Sequence, residues 1–102
     1  MAYEIRITPA AKRAIAKLSH ATQDAVFQKF DELVDTPRPL DSEKIKTVPS
    51  KYRVYRVPVR TAETWYRIVY QVKDKETWIL VLKVGDRKEV YERLDDLKRL
   101  LQ

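Results

Sequence analysis

Apolar and polar positions change rhythm several times along the chain. From Ala2 to Ile7 they alternate, with Tyr3, Ile5 and Ile7 on one side and Glu4 and Arg6 on the other, which predicts a short strand. Thr8-Pro9 then reads as a helix N-cap and first helical position, because proline has no N–H to lose there. Ala11, Ala14, Ile15 and Leu18 form a helical stripe, and its small alanines allow close packing. Ser19 or Thr22 can cap a second helix with the stripe Val26, Phe30, Leu33 and Val34. Two helices this close in sequence predict an αα-hairpin. Thr36 to Leu40, "TPRPL", ends the second helix, since each proline removes a donor and restrains the residue before it. Asp41 to Ser50 reads as a polar loop with a short paired piece around Ile45.

Period-two patterning then returns. Tyr52 to Val59 has Tyr55, Val57 and Val59 on one face and Val54, Arg56 and Pro58 on the other. Trp65 to Val72 has Tyr66, Ile68, Tyr70 and Val72 opposite Trp65, Arg67, Val69 and Gln71. Thr77 to Val84 is nearly continuous in apolar residues and is expected to be the most buried strand. "RTAET" and "KDKE" are the connecting turns. After Gly85, the only glycine, a closing helix is predicted with the stripe Val90, Leu94, Leu97 and Leu101, and Asp86 with Glu89 form its capping box. The order βααβββα does not alternate helix with strand. It predicts an α+β fold: a mostly antiparallel four-stranded sheet, a helical hairpin on one face and a C-terminal helix.

Composition narrows the picture. At 102 residues, residues 1–102 form a single domain with one modest core. The chain has no cysteine and one histidine, His20, so disulfides and Cys- or His-built metal sites are not expected. No cofactor is implied. The longest apolar run, Trp78 to Leu82, is far too short to cross a bilayer, and "MAYEIRITPAAK" lacks the apolar core of a secretory signal. An intracellular, cytoplasmic protein without a membrane partner is expected. The net charge is +6 with a pI near 9.6, which favours polyanionic partners. Much of that charge falls on the predicted sheet: Lys51 to Tyr70 holds five basic residues against one acid, Glu63, a net of +4.

Alternation places Arg56 and Arg67 away from the more apolar faces of their strands, so a hairpin brings them to one surface. Arg87 leaves the end of the third strand and can reach the same surface. Arg87 and Tyr91 are four apart on the closing helix and share a face displaced from the core stripe. Trp65 and Tyr66 stand nearby for stacking. Such a cleft suits a phosphodiester next to an unstacked base. Cleavage there has a metal-free route, in which the RNA's own 2′-hydroxyl attacks and fixed arginines stabilise the growing charge. Arginine is a poor proton carrier, whereas a tyrosine among cations is a candidate for proton exchange. Taken alone, each arginine reads first as a strand residue that is solvated or paired with a helix carboxylate, and Tyr91 as packing; their convergence on one surface shifts that reading. On composition and spacing the reading stays at a basic α+β domain that binds RNA, DNA or an acidic protein.

The run "YRVYRVPV" followed by "WYRIVYQVKDKETWILVLKVGDRKEVYERL" resembles the RelE/ParE superfamily of toxins from type II toxin–antitoxin pairs, most closely its RelE branch. The opening "YEIRITPAAKRAIAKL" is similar to the family's first strand and helix, so the resemblance covers essentially the whole chain. It implies a ribosome-dependent, metal-independent mRNA endoribonuclease that acts in the ribosomal A site. A cognate antitoxin would neutralise it, and operator DNA would be met only through that antitoxin. It also implies roles: Arg67 as transition-state arginine, Arg87 as second phosphate-binding arginine, Tyr91 as catalytic or stacking tyrosine, and Arg56 as the first basic strand residue. Arg53, Arg60, Lys88 and Trp65 complete the expected RNA-binding set, with Arg53 competing with Arg56 for the strand position. Departures from the family pattern are Pro58 at the second basic strand position, Asp86 where many relatives carry His or a basic residue, and a longer "RTAET" loop from which Arg60 would replace the missing charge. A ParE-type toxin directed at DNA gyrase, or a non-catalytic module of a toxin–antitoxin repressor, fits the same fold.

Overall fold

The computed structural model describes residues 2–46, 48–61 and 64–86. The expected closing helix, with Arg87, Lys88, Glu89, Val90 and Tyr91, lies outside them. The described elements are β1 (Glu4–Ile7), α1 (Pro9–Ala16), α2 (His20–Asp35), β2 (Glu43–Lys44), β3 (Val54–Arg60), β4 (Trp65–Lys73) and β5 (Trp78–Asp86).

The helix ends follow their local chemistry. Thr8 Oγ1 accepts from the Ala11 N–H and Pro9 opens α1. Ser19, not Thr22, caps α2 by accepting from the Thr22 N–H, while its own hydroxyl donates to the buried Thr22 hydroxyl at 2.9 Å. Gln23 Nε2 donates to the carbonyls of Ile15 and Leu18 at 3.0 and 3.1 Å, which staples the two helices across their short turn. Thr36 closes α2 ahead of Pro37.

The sheet has five strands in the order β1-β5-β4-β3-β2. It therefore has one strand more than the pattern predicts, because the paired piece near Ile45 is a true two-residue strand, β2. The class is α+β as expected, with β1 parallel to β5 and the remaining pairs antiparallel. β3 begins at Val54, two residues later than the alternation suggests. Ser50–Tyr52 instead form a 3₁₀ turn, and Arg53 leaves it with a left-handed φ of 53°. β5 runs on through Asp86, so this residue pairs opposite Tyr66 rather than lying beyond the strand.

Each face of the sheet carries its own apolar cluster. On the helix side Ala11, Ile15, Val26, Phe30 and Leu33 pack against Val57, Val59, Ile68, Tyr70, Val72, Ile79, Val81 and Val84. On the other face Ile45, Val48, Val54, Val69 and Leu82 form a smaller cluster, which covers only part of it. β5 supplies residues to both clusters, which is why its sequence is nearly continuous in apolar residues. A bulge shifts its register: Val69 faces Lys83 while Tyr70 faces Val81, leaving Leu82 as the extra residue. Beyond the bulge the parity is reset, so Val84 points to the helices and Gly85 lies across from Arg67.

A polar clasp ties the start of the chain to the β4–β5 turn. The Asp74 carboxylate accepts from the Tyr3 hydroxyl at 2.8 Å, from Arg38 Nη2 at 2.9 Å and from Arg53 Nη1. Arg38 Nε also donates to the Tyr55 hydroxyl at 2.9 Å. The Arg38 hydrogen bond, joined by those from Tyr3 and Arg53, holds the Asp74 carboxyl below its ordinary range. The same bond to Asp74 raises the Tyr3 phenol. Nearby, buried Tyr70 donates to the Pro37 carbonyl at 2.8 Å, and burial pushes its phenol up to about 12. The clasp stabilises the fold while Asp74 is ionised, above the ordinary aspartate pKa of about 3.9, and fades as pH falls through the depressed native value. Asp74→Asn is expected to cost about 1–2 kcal/mol at neutral pH. It is also expected to flatten the loss of stability on the acid side, as read by urea unfolding between pH 7 and pH 2.

Candidate nucleic-acid interface

The part of the open face left bare by the smaller cluster forms a cleft of about 410 Å³, lined by Asp41, Glu43, Arg56, Pro58, Trp65 and Arg67. β3 and β4 build it through their register, in which Pro58 stands opposite Arg67 and Arg56 opposite Val69. Arg56 and Arg67 are therefore diagonal neighbours on one face, as the alternation predicts.

The two arginines differ in their surroundings. Arg56 bonds through Nε and Nη2 to Glu43, whose Oε2 lies 3.2 Å from Nε. The Arg56 hydrogen bond, followed by the charges of Arg56 and Arg67, lowers the Glu43 carboxyl from its ordinary range. Asp41, the other acid of the cleft, accepts from Lys29 Nζ at 3.1 Å, and Lys29 also bonds Glu32 at 2.9 Å. Burial opposes the charge on Lys29, but its bonds to Glu32 and Asp41 outweigh it and raise its pKa. Among the described residues no carboxylate bonds Arg67: its Nε is buried and finds no hydrogen-bond partner there. A buried donor without a partner is costly, so this group is poised for an acceptor that enters the cleft. Gly85, directly across on β5, presents no side chain beside the guanidinium. Gly85 does not adopt a positive φ, so what it supplies here is the missing Cβ.

Trp65 sits on the lip of the cleft, half-exposed, with the Arg60 guanidinium 5.5 Å from its ring centroid. The two residues are cross-strand partners at the turn end of the hairpin. Arg53 is not brought to the cleft. Its left-handed backbone turns the side chain to Asp74, so of the two candidate strand arginines only Arg56 lines the cleft. Arg87, Lys88 and Tyr91 lie outside the described residues, and the strand that leads to them ends at Asp86, across from Tyr66. Glu43 and Asp41 were not singled out by the sequence pattern. They lie in a polar stretch without periodicity, and only the pairing of β2 with β3 carries Glu43 to Arg56. Among the described residues, no three acids or histidines gather where they could hold a metal ion.

The family model for the ParE toxin of type II toxin–antitoxin systems, parDE, matches residues 5–91. The chain belongs to this toxin family. Within the superfamily it is similar to the mRNA interferase toxin RelE of Escherichia coli K12, with 29% identity over 103 residues that cover 99% of this chain and 100% of that protein. A mutant of E. coli toxin RelE in the free state superposes with a TM-score of 0.77 at 28% identity, covering 98% of this chain and 99% of that one. The intact E. coli RelBE toxin–antitoxin complex contains a chain matching at a TM-score of 0.67 and 25% identity, over 83% of this chain and 96% of that one.

In this toxin fold Arg67 is held in a costly state, and that has a measurable signature. Arg67→Met keeps the length of the side chain and removes the orphaned donor. It is expected to leave stability unchanged or raise it by about 1 kcal/mol, since an unsatisfied buried donor costs about 1–3 kcal/mol. Urea denaturation of parent and variant under identical conditions measures the difference. A loss of 2 kcal/mol or more would show Arg67 to be a structural residue.

Proposed function

We propose that this chain is the toxin of a type II pair and acts as an endoribonuclease on ribosome-bound mRNA, without a metal. The observation that carries the reading is Arg67: a buried donor, unmatched among the described residues, in the cleft that also holds Arg56, at the position where the RelE resemblance puts the transition-state arginine. The full-length similarity to a protein named mRNA interferase toxin RelE supports the same chemistry.

In this mechanism the substrate's 2′-oxygen attacks the adjacent phosphorus. The P–O5′ bond breaks, leaving a 2′,3′-cyclic phosphate and a 5′-hydroxyl. The 2′-hydroxyl proton leaves as the nucleophile forms, and the departing 5′-oxygen takes up a proton. Arg67 donates to the non-bridging oxygens, whose charge grows in the phosphorane. Arg56 exchanges its Glu43 partner for phosphate, and Arg87 adds a second cation. Tyr91 stacks on a base or relays a proton. Charge-assisted bonds of this kind are about twice as strong as neutral ones.

A cognate antitoxin restrains the activity; the E. coli RelBE structure, a toxin–antitoxin complex, supports such a partner. The net charge of +6 and the arginines of the sheet favour an acidic or amphipathic segment as the cover of the cleft. Among the described residues no helix is long and apolar enough to cross a membrane. The ParE name of the matching family favours one other reading, a toxin directed at DNA gyrase. Induction separates the two: translation stops first in the ribonuclease reading, and replication stops first in the other.

Arg67→Ala and Arg87→Ala are each expected to lower mRNA cutting by about 100- to 1000-fold with folding intact, because each removes a transition-state donor. Mapping of mRNA 5′ ends after induction measures this. Full cutting by both variants would sink the ribonuclease reading. Tyr91→Phe keeps the ring and removes the hydroxyl. Cutting near the parent level would assign stacking to Tyr91, and a loss as deep as in Tyr91→Ala would assign proton transfer.

A further inference from the structure

A second cleft of about 400 Å³ wraps round the edge of β3 toward α2 and shares Asp41, Pro58 and Trp65 with the first. Its far wall carries Gln28, Lys29 and Glu32 of α2, with Lys29 bonded to Glu32, and Arg60 stands at its rim. The two clefts therefore form one groove with the Trp65 indole at the divide.

Several observations at this divide suit a nucleotide. Trp65 is 50% exposed, one of the few large apolar side chains of the described residues left in solvent. A tryptophan ring held beside a guanidinium is a stacking platform with its own positive charge. Trp65 and Arg67 are two residues apart on one face of β4, so their Cα atoms are separated by roughly 6.6 Å at the usual strand rise. That spacing sets a base on the indole while its own phosphate meets the Arg67 donor. Pro58, on the floor of both clefts, helps to keep the groove clear. Ile45 N–H bonds the Val54 carbonyl, so the backbone groups of Val54, Arg56 and Pro58 point to the same edge. Beyond the Arg56 pairing with β2, that edge is not paired among the described residues, and proline there offers no N–H for an added strand.

We infer that Trp65, with Arg60 and Pro58, is a base-stacking subsite for the nucleotide next to the cut, and that the groove beyond it guides the flanking single strand toward α2. The inference rests on the ribonuclease reading and adds to it a residue that selects an unstacked base. Stacking accepts any base, so the subsite raises affinity more than it sets sequence preference.

The test uses the full chain in a Trp78→Phe background, which leaves Trp65 as the only tryptophan. A short oligoribonucleotide carrying a 2′-O-methyl group at the cut position is titrated at low salt while indole emission is followed. Two further probes lack the base on one or the other side of the cut. Saturable quenching is expected with the intact probe. One of the two abasic probes is expected to bind about tenfold or more weakly, the range of a lost aromatic stack. Trp65→Ala should raise KM on ribosome-bound mRNA by a similar factor with little change in kcat, and Trp65→Phe should recover most of it. Absent quenching, or equal binding of all three probes, overturns the subsite. So does a Trp65→Ala variant that loses antitoxin affinity but cuts like the parent, since the platform would then belong to a protein partner. If Arg67→Ala fails to cut while Trp65→Ala is fully active, the ribonuclease reading stands and only the subsite falls.

Discussion

The pairing register of β3 with β4 is the constraint on which the rest depends. With Val57 opposite Ile68, one set of alternate residues enters the helix-side core and the other set, Arg56, Pro58, Trp65 and Arg67, builds the cleft. A slip of one residue would exchange the two sets, placing guanidiniums under α2 and valines in water. The burial of Val57, Val59, Ile68 and Tyr70 therefore stabilises the fold and orients the chemistry at the same time. The cleft needs no separate scaffold, because the hydrophobic core fixes where its arginines point.

The α+β class, the helical hairpin with its caps, and the shared face of Arg56 and Arg67 were legible because they rest on local periodicity. Three features were not. The β5 bulge at Leu82 breaks no apolar pattern, since Val81, Leu82 and Val84 are all apolar, yet it decides which face Gly85 occupies. The turn of Arg53 to a left-handed backbone cannot be read from a run, "KYRVYR", that alternates well on either side of it. Glu43 reaches Arg56 only through the pairing of β2 with β3, a contact between segments whose sequences show no periodicity in common. Local rules found the residues on the strands; tertiary pairing decided which of them meet.

Charge in the cleft is arranged by contrast rather than by total. Lys29 answers Asp41 and Arg56 answers Glu43, so the acids of the cleft are each occupied. Arg67 is set apart by a buried donor that has no hydrogen-bond partner among the described residues, with Gly85 across from it on β5. Proteins hold such unsatisfied groups at a cost to stability when a ligand is to satisfy them. The lone glycine of the chain belongs to the same arrangement, because it is the cross-strand partner of Arg67 and brings no side chain to that pair.

The parallel pairing of β1 with β5 bears on when this protein becomes a folded toxin. Glu4 N–H bonds the Thr77 carbonyl, Thr8 N–H bonds the Val81 carbonyl, and the Tyr3 hydroxyl reaches Asp74. β1 is made first during synthesis, while its sheet partner comes more than 70 residues later, at Trp78–Val81. Closing so long a loop must wait until those residues exist, and contacts of high sequence separation form slowly. A nascent chain that stops short of β5 has an α-helical hairpin without the strand that anchors its start. The order of translation thus delays completion of the sheet until most of the chain has been made.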